Sequence, residues 1–440
     1  MPAPNRDRKG ADVFTGVFNR AGYALGQAAS ASGEVDEPDH RQVSPEVVTG
    51  NNCKRMKILA ILGTRPEAVK FAPVIHAAAR QQGIEMQVCV TGQHRSLVDP
   101  VLKFFDIGVN HRLSVMRHNQ DLSGLTTRVL EGVRGVLLAD RPDLMLVHGD
   151  TATCFASALA AFYERVPVGH IEAGLRTHDL SSPFPEEGMR QMVSRLAAFH
   201  FAPTAANVAT LEQEGIPAER IFLTGNTGID AVLWARERIR RADPLASLEK
   251  NKRSQIRSAK RRVLITSHRR ENFGAGIRNI CEAIATLAAR HPATAWVFPV
   301  HPNPEVTHCA QSRLGTLANV ALLPPLEYPQ FVALMDQSYF LISDSGGVQE
   351  EAAALQKPVL VTRRTTERAE AVWGGHALLV GTAHDSIVNA VDRLLTSRVL
   401  YDRMCSGTCP FGDGAAANRI LGIIAREAGP TGKSHLAATA

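Results

Sequence analysis

The chain has 440 residues, a hydrophobic share of 45% and a net charge of +6. That length is too great for one ordinary domain and comfortable for two, and the apolar share is enough to give each a core. The charge excess is mild; it suits an anionic small ligand, although most such excesses are only solvated surface.

The seven cysteines, at 53, 89, 154, 281, 309, 405 and 409, are odd in number and form no CxxC pair. That pattern argues against a zinc site or a disulfide framework and for reduced thiols in a cytoplasmic protein. Cys405 and Cys409 stand one helical turn apart, but the Gly and Thr between them favour a loop. No apolar run approaches the roughly 18 residues of a bilayer span, and no signal peptide opens the chain.

The first 55 residues carry no sustained strand pattern. Ala29–Val43 has the composition of a disordered segment, and Phe14–Ala28 is a candidate helix. Either this is a flexible tail, or Met56 is the natural start. From Met56 the pattern changes. Short Val/Ile/Leu-rich runs alternate with longer helical stretches. The first series of expected strands is Lys57–Leu62, Gln87–Thr91, Leu144–His148, Val166–Ile171, Phe199–Ala202 and Ile221–Thr224. The second is Arg262–Thr266, Ala295–Val300, Val320–Leu323, Tyr339–Ser343, Pro358–Thr362 and Ala377–Val380. Continuous apolar strands linked by helices imply parallel sheets covered on both faces, so the fold class is α/β, with two doubly wound Rossmann-like domains. The boundary is expected near Gly225–Asp230, followed by a helix Ala231–Arg241 and a polar segment ending in the basic run KNKRSQIRSAKRR. Such a run reads as a solvated connection. It has no interleaved aromatics, which argues against nucleic acid.

In open parallel sheets ligands bind beyond the carboxyl ends of the strands, so the residues there are the candidates. The first strand runs into Gly63-Thr64-Arg65-Pro66-Glu67, with Pro66 suited to open a helix. Arg65 and Lys70 then face either a phosphate or plain solvent. The strand ending at His148 leads to Gly149-Asp150-Thr151, where Asp150 is either an acid–base group or a helix N-cap. After Ile171 comes Glu172. Further on, Pro183 and Pro185 should hold an extended loop before Glu186 and Glu187, which read blandly as helix-start carboxylates. Read functionally, Asp150, Glu172 and Glu186 are three carboxylates on neighbouring loops, able to tune one another's proton affinity. In the second series, His268-Arg269-Arg270 and His301 follow strands. Ser343-Asp344-Ser345-Gly346-Gly347 sits between a strand and a helix, so open N–H groups at a helix N-terminus make an anion site. Glu351, about one turn into that helix, is placed to accept bonds from ribose hydroxyls. The glycines fit neither GxGxxG nor a Walker A loop, which weakens NAD and ATP readings. Thr362 to Arg368 is another polar strand end.

Taken together, GTRPEAVKFAP, TGQHR, HGDT, GHIEAGLRT, PFPEE, GNTGIDA, SHRRENFG, PVHPNP, SDSGGVQEEA and TTERAEAV resemble the non-hydrolysing UDP-N-acetylglucosamine 2-epimerases of bacteria. The runs stand in family order from Met56 to about Ala425. The resemblance implies a two-domain glycosyltransferase-B type fold. Its first domain is 56–226, completed by a returning helix at about 415–427, and its UDP-binding domain is 227–414. An extension 1–55 and a tail 428–440 flank them. It implies a cytoplasmic homodimer that acts on a UDP-sugar without cofactor or metal, binding neither nucleic acid nor membrane, and supplying precursors for cell-surface polysaccharide. The implied chemistry is loss of the C2 proton with departure of UDP from C1, then re-addition of UDP to a bound 2-acetamidoglucal. Carried over by residue, the acid–base set is Asp150, Glu172, Glu186 and His268. The nucleotide-sugar contacts are Arg65, Lys70, His301, Ser345, Gly346, Gly347 and Glu351. Gln93, His94 and Arg128 are candidates for an allosteric UDP-GlcNAc site. Ser96 and Leu97, which depart from the family pattern, count against it, and Met189 and Ala369 depart as well. Rival readings are a related UDP-sugar, a hydrolysing epimerase, or a glycosyltransferase needing an acceptor.

Overall fold

Strand β1 (Met56–Leu62) is buried at every position but Lys57, and β4 (Leu144–His148) at every position. Strands apolar along their whole length need cover on both faces, and the linking helices provide it. In this computed structural model residues 55–428 are described, apart from 94 and 118–120. The expected helix Phe14–Ala28 and His94 lie outside them, as does nearly all of 1–55 and 428–440.

The remaining strands are β2 (Ile84–Val90), β3 (His111–Arg112), β5 (Val168–Ile171), β6 (Phe199–Ala202), β7 (Ile221–Leu223), β8 (Arg261–Thr266), β9 (Thr294–Pro299), β10 (Val320–Leu323), β11 (Phe340–Ser343), β12 (Val359–Val361) and β13 (Ala377–Leu379). They form two sheets, ordered β3-β2-β1-β4-β5-β6-β7 and β10-β9-β8-β11-β12-β13. All pairings are parallel. Chain direction across each sheet reverses once, between β1 and β4 and between β8 and β11. Crevices therefore open beyond the ends of those two strand pairs, the usual ligand position in such sheets.

Three expectations need correction. Strand β3 went unseen because its two residues are polar and hold the sheet edge only through backbone pairing with β2. The basic run is not merely a connection: Lys250–Ser258 is a helix, with Ile256 fully buried and Arg257 2.5 Å from Asp243. One apolar residue in nine gave no helical period to read. The loop of Pro183 and Pro185 is turned rather than extended, with cis bonds at Ser182–Pro183 and Phe184–Pro185. The expected helix Ala231–Arg241 spans Thr227–Ile239, its start fixed by Asn226, whose side chain accepts from Gly228 N–H at 2.8 Å.

Helix Ala416–Glu427 packs on helices Arg65–Ala78 and Thr227–Ile239. Asp230 receives the N–H groups of Ala416 and Ala417 at 3.3 and 2.9 Å. Ile420, Leu421 and Ile424 are buried, each contributing about 1.5–3 kcal/mol. Among the described residues six cysteines are free, and no helix is long and apolar enough to cross a membrane.

Candidate active site

The crevice beyond β1 and β4 holds the first group. Thr151, not Asp150, caps helix Ala152–Tyr163, accepting from Cys154 N–H at 3.0 Å. Asp150 is thereby free of the structural duty it was suited to, and it pairs with Arg190 instead. Burial raises its proton affinity; Arg190 opposes this, and the nearby charges of Glu172 and Glu186 add to it. Glu186 opens helix Glu186–Leu196 and is partly exposed, whereas Glu187 is buried against Thr177 N–H and Arg190. The loops are tied by Glu67, which accepts from Thr64 N–H at 2.6 Å and from Thr151 Oγ1 at 2.6 Å.

Glu172 follows β5 and takes φ 65°, a left-handed conformation costing a residue with a Cβ about 1–2 kcal/mol. Backbone strain of this kind concentrates at functional sites. Its carboxylate meets Lys70 Nζ, Arg368 Nη2 at 3.8 Å, His148 Nδ1 at 3.8 Å and Asn226 Nδ2 at 3.4 Å. Burial alone would raise its proton affinity, but Lys70, His148 and Arg368 together hold it well below the usual carboxylate range. Burial pushes His148 down to about 4. Gly149, at φ 68°, leaves room beside this carboxylate: an added Cβ would lie 3.4 Å from Glu172 Oε2. Two neighbouring carboxylates thus have their proton affinities driven in opposite directions, an arrangement that separates acid and base roles.

The crevice beyond β8 and β11 holds the second group. Ser345 caps helix Gly346–Ala354, so the helix N-terminus, with Gly346 and Gly347, opens into the crevice. His268 lies beside it, Nδ1 2.8 Å from Asp344 Oδ1. His301 has its Nδ1 3.2 Å from Asn303 N–H, and burial and the nearby His268 depress its proton affinity. Glu351 is pushed up to about 7, chiefly by burial, and accepts from Tyr328 OH at 3.2 Å.

Side chains from the two sheets meet. Lys70, on helix Arg65–Ala78, bonds Glu172 and lies 3.4 Å from Glu350 Oε2. Burial opposes its charge, but Glu172 and Glu350 more than offset this and raise it to about 12. Arg368 Nε donates to Glu350 Oε1 at 2.7 Å. Arg65 is exposed, with Nη1 3.5 Å from the Leu326 carbonyl. Thr204 Oγ1 donates to Glu370 at 2.8 Å. Of the allosteric candidates, Gln93 accepts from Thr153 Oγ1 at 2.8 Å and Arg128 Nε donates to the Val115 carbonyl at 2.8 Å. Arg368, Glu350 and Asp344 were not singled out as site residues. Asp344 directly follows β11 at a polar strand end, a signal that was present, whereas Arg368 and Glu350 stand in polar runs with nothing in the sequence to single them out.

A model of the UDP-N-acetylglucosamine 2-epimerase family matches residues 76–425. The chain belongs to that family. The family's enzyme from Yersinia pestis is 48% identical over 366 residues, which are 83% of this chain and 97% of that protein. The UDP-N-acetylglucosamine 2-epimerase of Escherichia coli K12 matches at the same identity and coverage. The crystal structure of UDP-GlcNAc 2-epimerase from Neisseria meningitidis bound to UDP-GlcNAc superposes with a TM-score of 0.78 at 43% identity, covering 84% of this chain and 99% of that one. The paired seven- and six-stranded sheets are thus the glycosyltransferase-B-like arrangement of this epimerase family.

Proposed function

We propose that the chain interconverts UDP-N-acetylglucosamine and UDP-N-acetylmannosamine by elimination and re-addition of UDP. The observation that carries this is the pair Asp150 and Glu172, of opposed proton affinity, beside Lys70 and Arg368. The C2 carbon is weakly acidic, so its proton is removed only as the C1–oxygen bond to UDP breaks. In the forward direction a carboxylate takes the C2 proton, the C1=C2 double bond forms and UDP carries away the C1–O electron pair. In return, UDP oxygen bonds C1 while a proton reaches C2 on the opposite face. Asp150 and Glu186 share the proton transfers, and Glu172 stays ionised and orients them. Lys70, Arg65, Arg368, His268, His301 and the helix N-terminus at Ser345, Gly346 and Gly347 hold the diphosphate, whose charge grows as it leaves. Glu351 takes the ribose.

In this reading residues 56–226, with 415–427, form the acid–base half and 227–414 the nucleotide half of a cytoplasmic homodimer, whose product feeds cell-surface polysaccharide. The family relatives named for UDP-GlcNAc 2-epimerase activity support the substrate. The test is incubation with UDP-GlcNAc in heavy water, without acceptor. UDP-ManNAc bearing deuterium at C2 is expected. Accumulating free sugar with UDP would establish a hydrolysing enzyme. No exchange without an acceptor would point to a transferase.

A further inference from the structure

Asp344 is fully buried at the end of β11, and five donors converge on its carboxylate. Oδ2 accepts from the N–H groups of His268 and Arg269 at 2.9 and 3.0 Å, from Asn272 Nδ2 at 2.9 Å and from Ser267 Oγ at 3.2 Å. Oδ1 takes His268 Nδ1 at 2.8 Å. Burial alone would raise its proton affinity, but His268 and the other donors hold it below the usual range. A carboxylate so held is an acceptor only, so the nitrogen facing it must carry its hydrogen. The imidazole is 44% exposed, so the ring edge away from Asp344 is open to solvent. The helix N-terminus that Ser345 caps begins one residue from Asp344.

We propose that Asp344 is a positioning residue, clamping the 267–272 turn and fixing His268 with Nδ1–H buried and Nε2 presented to the diphosphate at the N-terminus of helix Gly346–Ala354. Two features separate this from plain turn-building. Backbone N–H groups reach both oxygens, Oδ1 also accepting His268 N–H at 3.1 Å, yet Oδ1 makes its shorter contact, 2.8 Å, with an imidazole that is 44% exposed. The dyad also spans the β8–β11 reversal, joining the residues that follow the two strands flanking the crevice. Asp344 holds the ring in one orientation without itself taking a proton, the orienting role of the carboxylate in Asp–His pairs of hydrolases.

The inference rests on the proposed function for its ligand but not for its geometry, so the test has two arms. The first is histidine-selective 15N NMR of the full wild-type chain, with His268 assigned by its loss in His268→Gln. A protonated Nδ1 is expected; an unprotonated Nδ1 overturns the proposal whether or not the chain is an epimerase. The second is a double-substitution cycle on turnover of UDP-GlcNAc. Asp344→Asn, which turns a donor toward Nδ1, should lower kcat by about 100-fold in the wild type and by less than about threefold in His268→Gln, because its effect runs through that ring. Equal losses in both backgrounds, as from a damaged turn, overturn it. Protonated Nδ1 in a chain without epimerase turnover sinks the activity and upholds the dyad.

Discussion

Asp150→Asn separates proton transfer from binding. The substitution keeps the size of the side chain and an acceptor oxygen for Arg190 but removes the transferable proton. General acid–base catalysis supplies about 10²–10⁴-fold, equivalent to about 3–5 kcal/mol of barrier, and turnover should fall by that much. The fold should lose far less. Arg190 is buried, but it keeps Glu187 Oε2 at 3.3 Å, so its charge is not stranded. Weakening one charge-assisted hydrogen bond costs about 1.5–3 kcal/mol. Against this, the proton affinity of Asp150 is raised in the folded state. Its ionised form therefore destabilises the fold as pH rises from the unfolded carboxylate range through the folded value, and the full penalty is present above that. Asparagine escapes the penalty, so the two effects oppose each other at neutral pH. Net destabilisation should stay under about 2 kcal/mol by denaturant unfolding. UDP affinity, measured by calorimetry, should change by less than about threefold, because the helix N-terminus at Ser345 belongs to the other sheet. Turnover above a tenth of wild type, or loss of UDP affinity in step with turnover, would refute the assignment.

Glu351→Gln tests the carboxyl pushed up to about 7 by burial. Its ionisation penalises the fold as pH rises from about 4.5 to about 7, so the variant should gain on the wild type across that window, by at most about 3 kcal/mol, in melting measured against pH; a constant gap would refute the shift. Arg368→Ala leaves the buried carboxylates of Glu172 and Glu350 sharing the one Lys70 ammonium, with Asn226 and His148 beside Glu172, and should cost about 3–5 kcal/mol of stability and raise KM. Arg368→Lys should restore much of the stability but not the KM, since one ammonium cannot reproduce the guanidinium's fork to both carboxylates; full recovery of KM would argue against a diphosphate contact. Gly149→Ala combines φ 68° with a Cβ 3.4 Å from Glu172 Oε2. The contact is an ordinary one, so the cost comes from the backbone: about 1–2 kcal/mol of stability, read by unfolding, with kcat little changed; a loss of kcat beyond about tenfold would show that the strained φ moves the neighbouring Asp150.

What the sequence shows is the pattern that repeats. Val/Ile/Leu runs such as LMLVH are buried on both faces and give the parallel sheets, and polar residues just after them mark the crevices. It does not show partnership. Asp150 could also be read as an N-cap, and only the placement of Thr151 against Cys154 N–H frees it. Glu186 and Glu187 look alike as helix-start carboxylates; one faces Asp150 and the other is buried holding Thr177 and Arg190. Arg368 and Glu350 stood in polar runs with nothing to separate them from surface charge, because their meaning comes from Glu172 and Lys70, nearly 180 residues and more away in the chain. Strand β3 and the helix Lys250–Ser258 were illegible for the opposite reason: neither has enough apolar residues to print a period.

The cations that keep Glu172 ionised come from opposite sides. Lys70 follows β1 and Arg368 follows β12, while Glu350 binds both. Under the proposed function the same two cations hold the diphosphate. An arriving diphosphate competes with Glu172 for their charge. An opposite charge within about 4–6 Å shifts a carboxylate by about 1–3 pK units, so weakening these contacts raises the proton affinity of Glu172 while leaving it the more acidic of the pair. Because the contacts join residues that follow strands of both sheets, they tie the two sides of the cleft together at the carboxylates they hold.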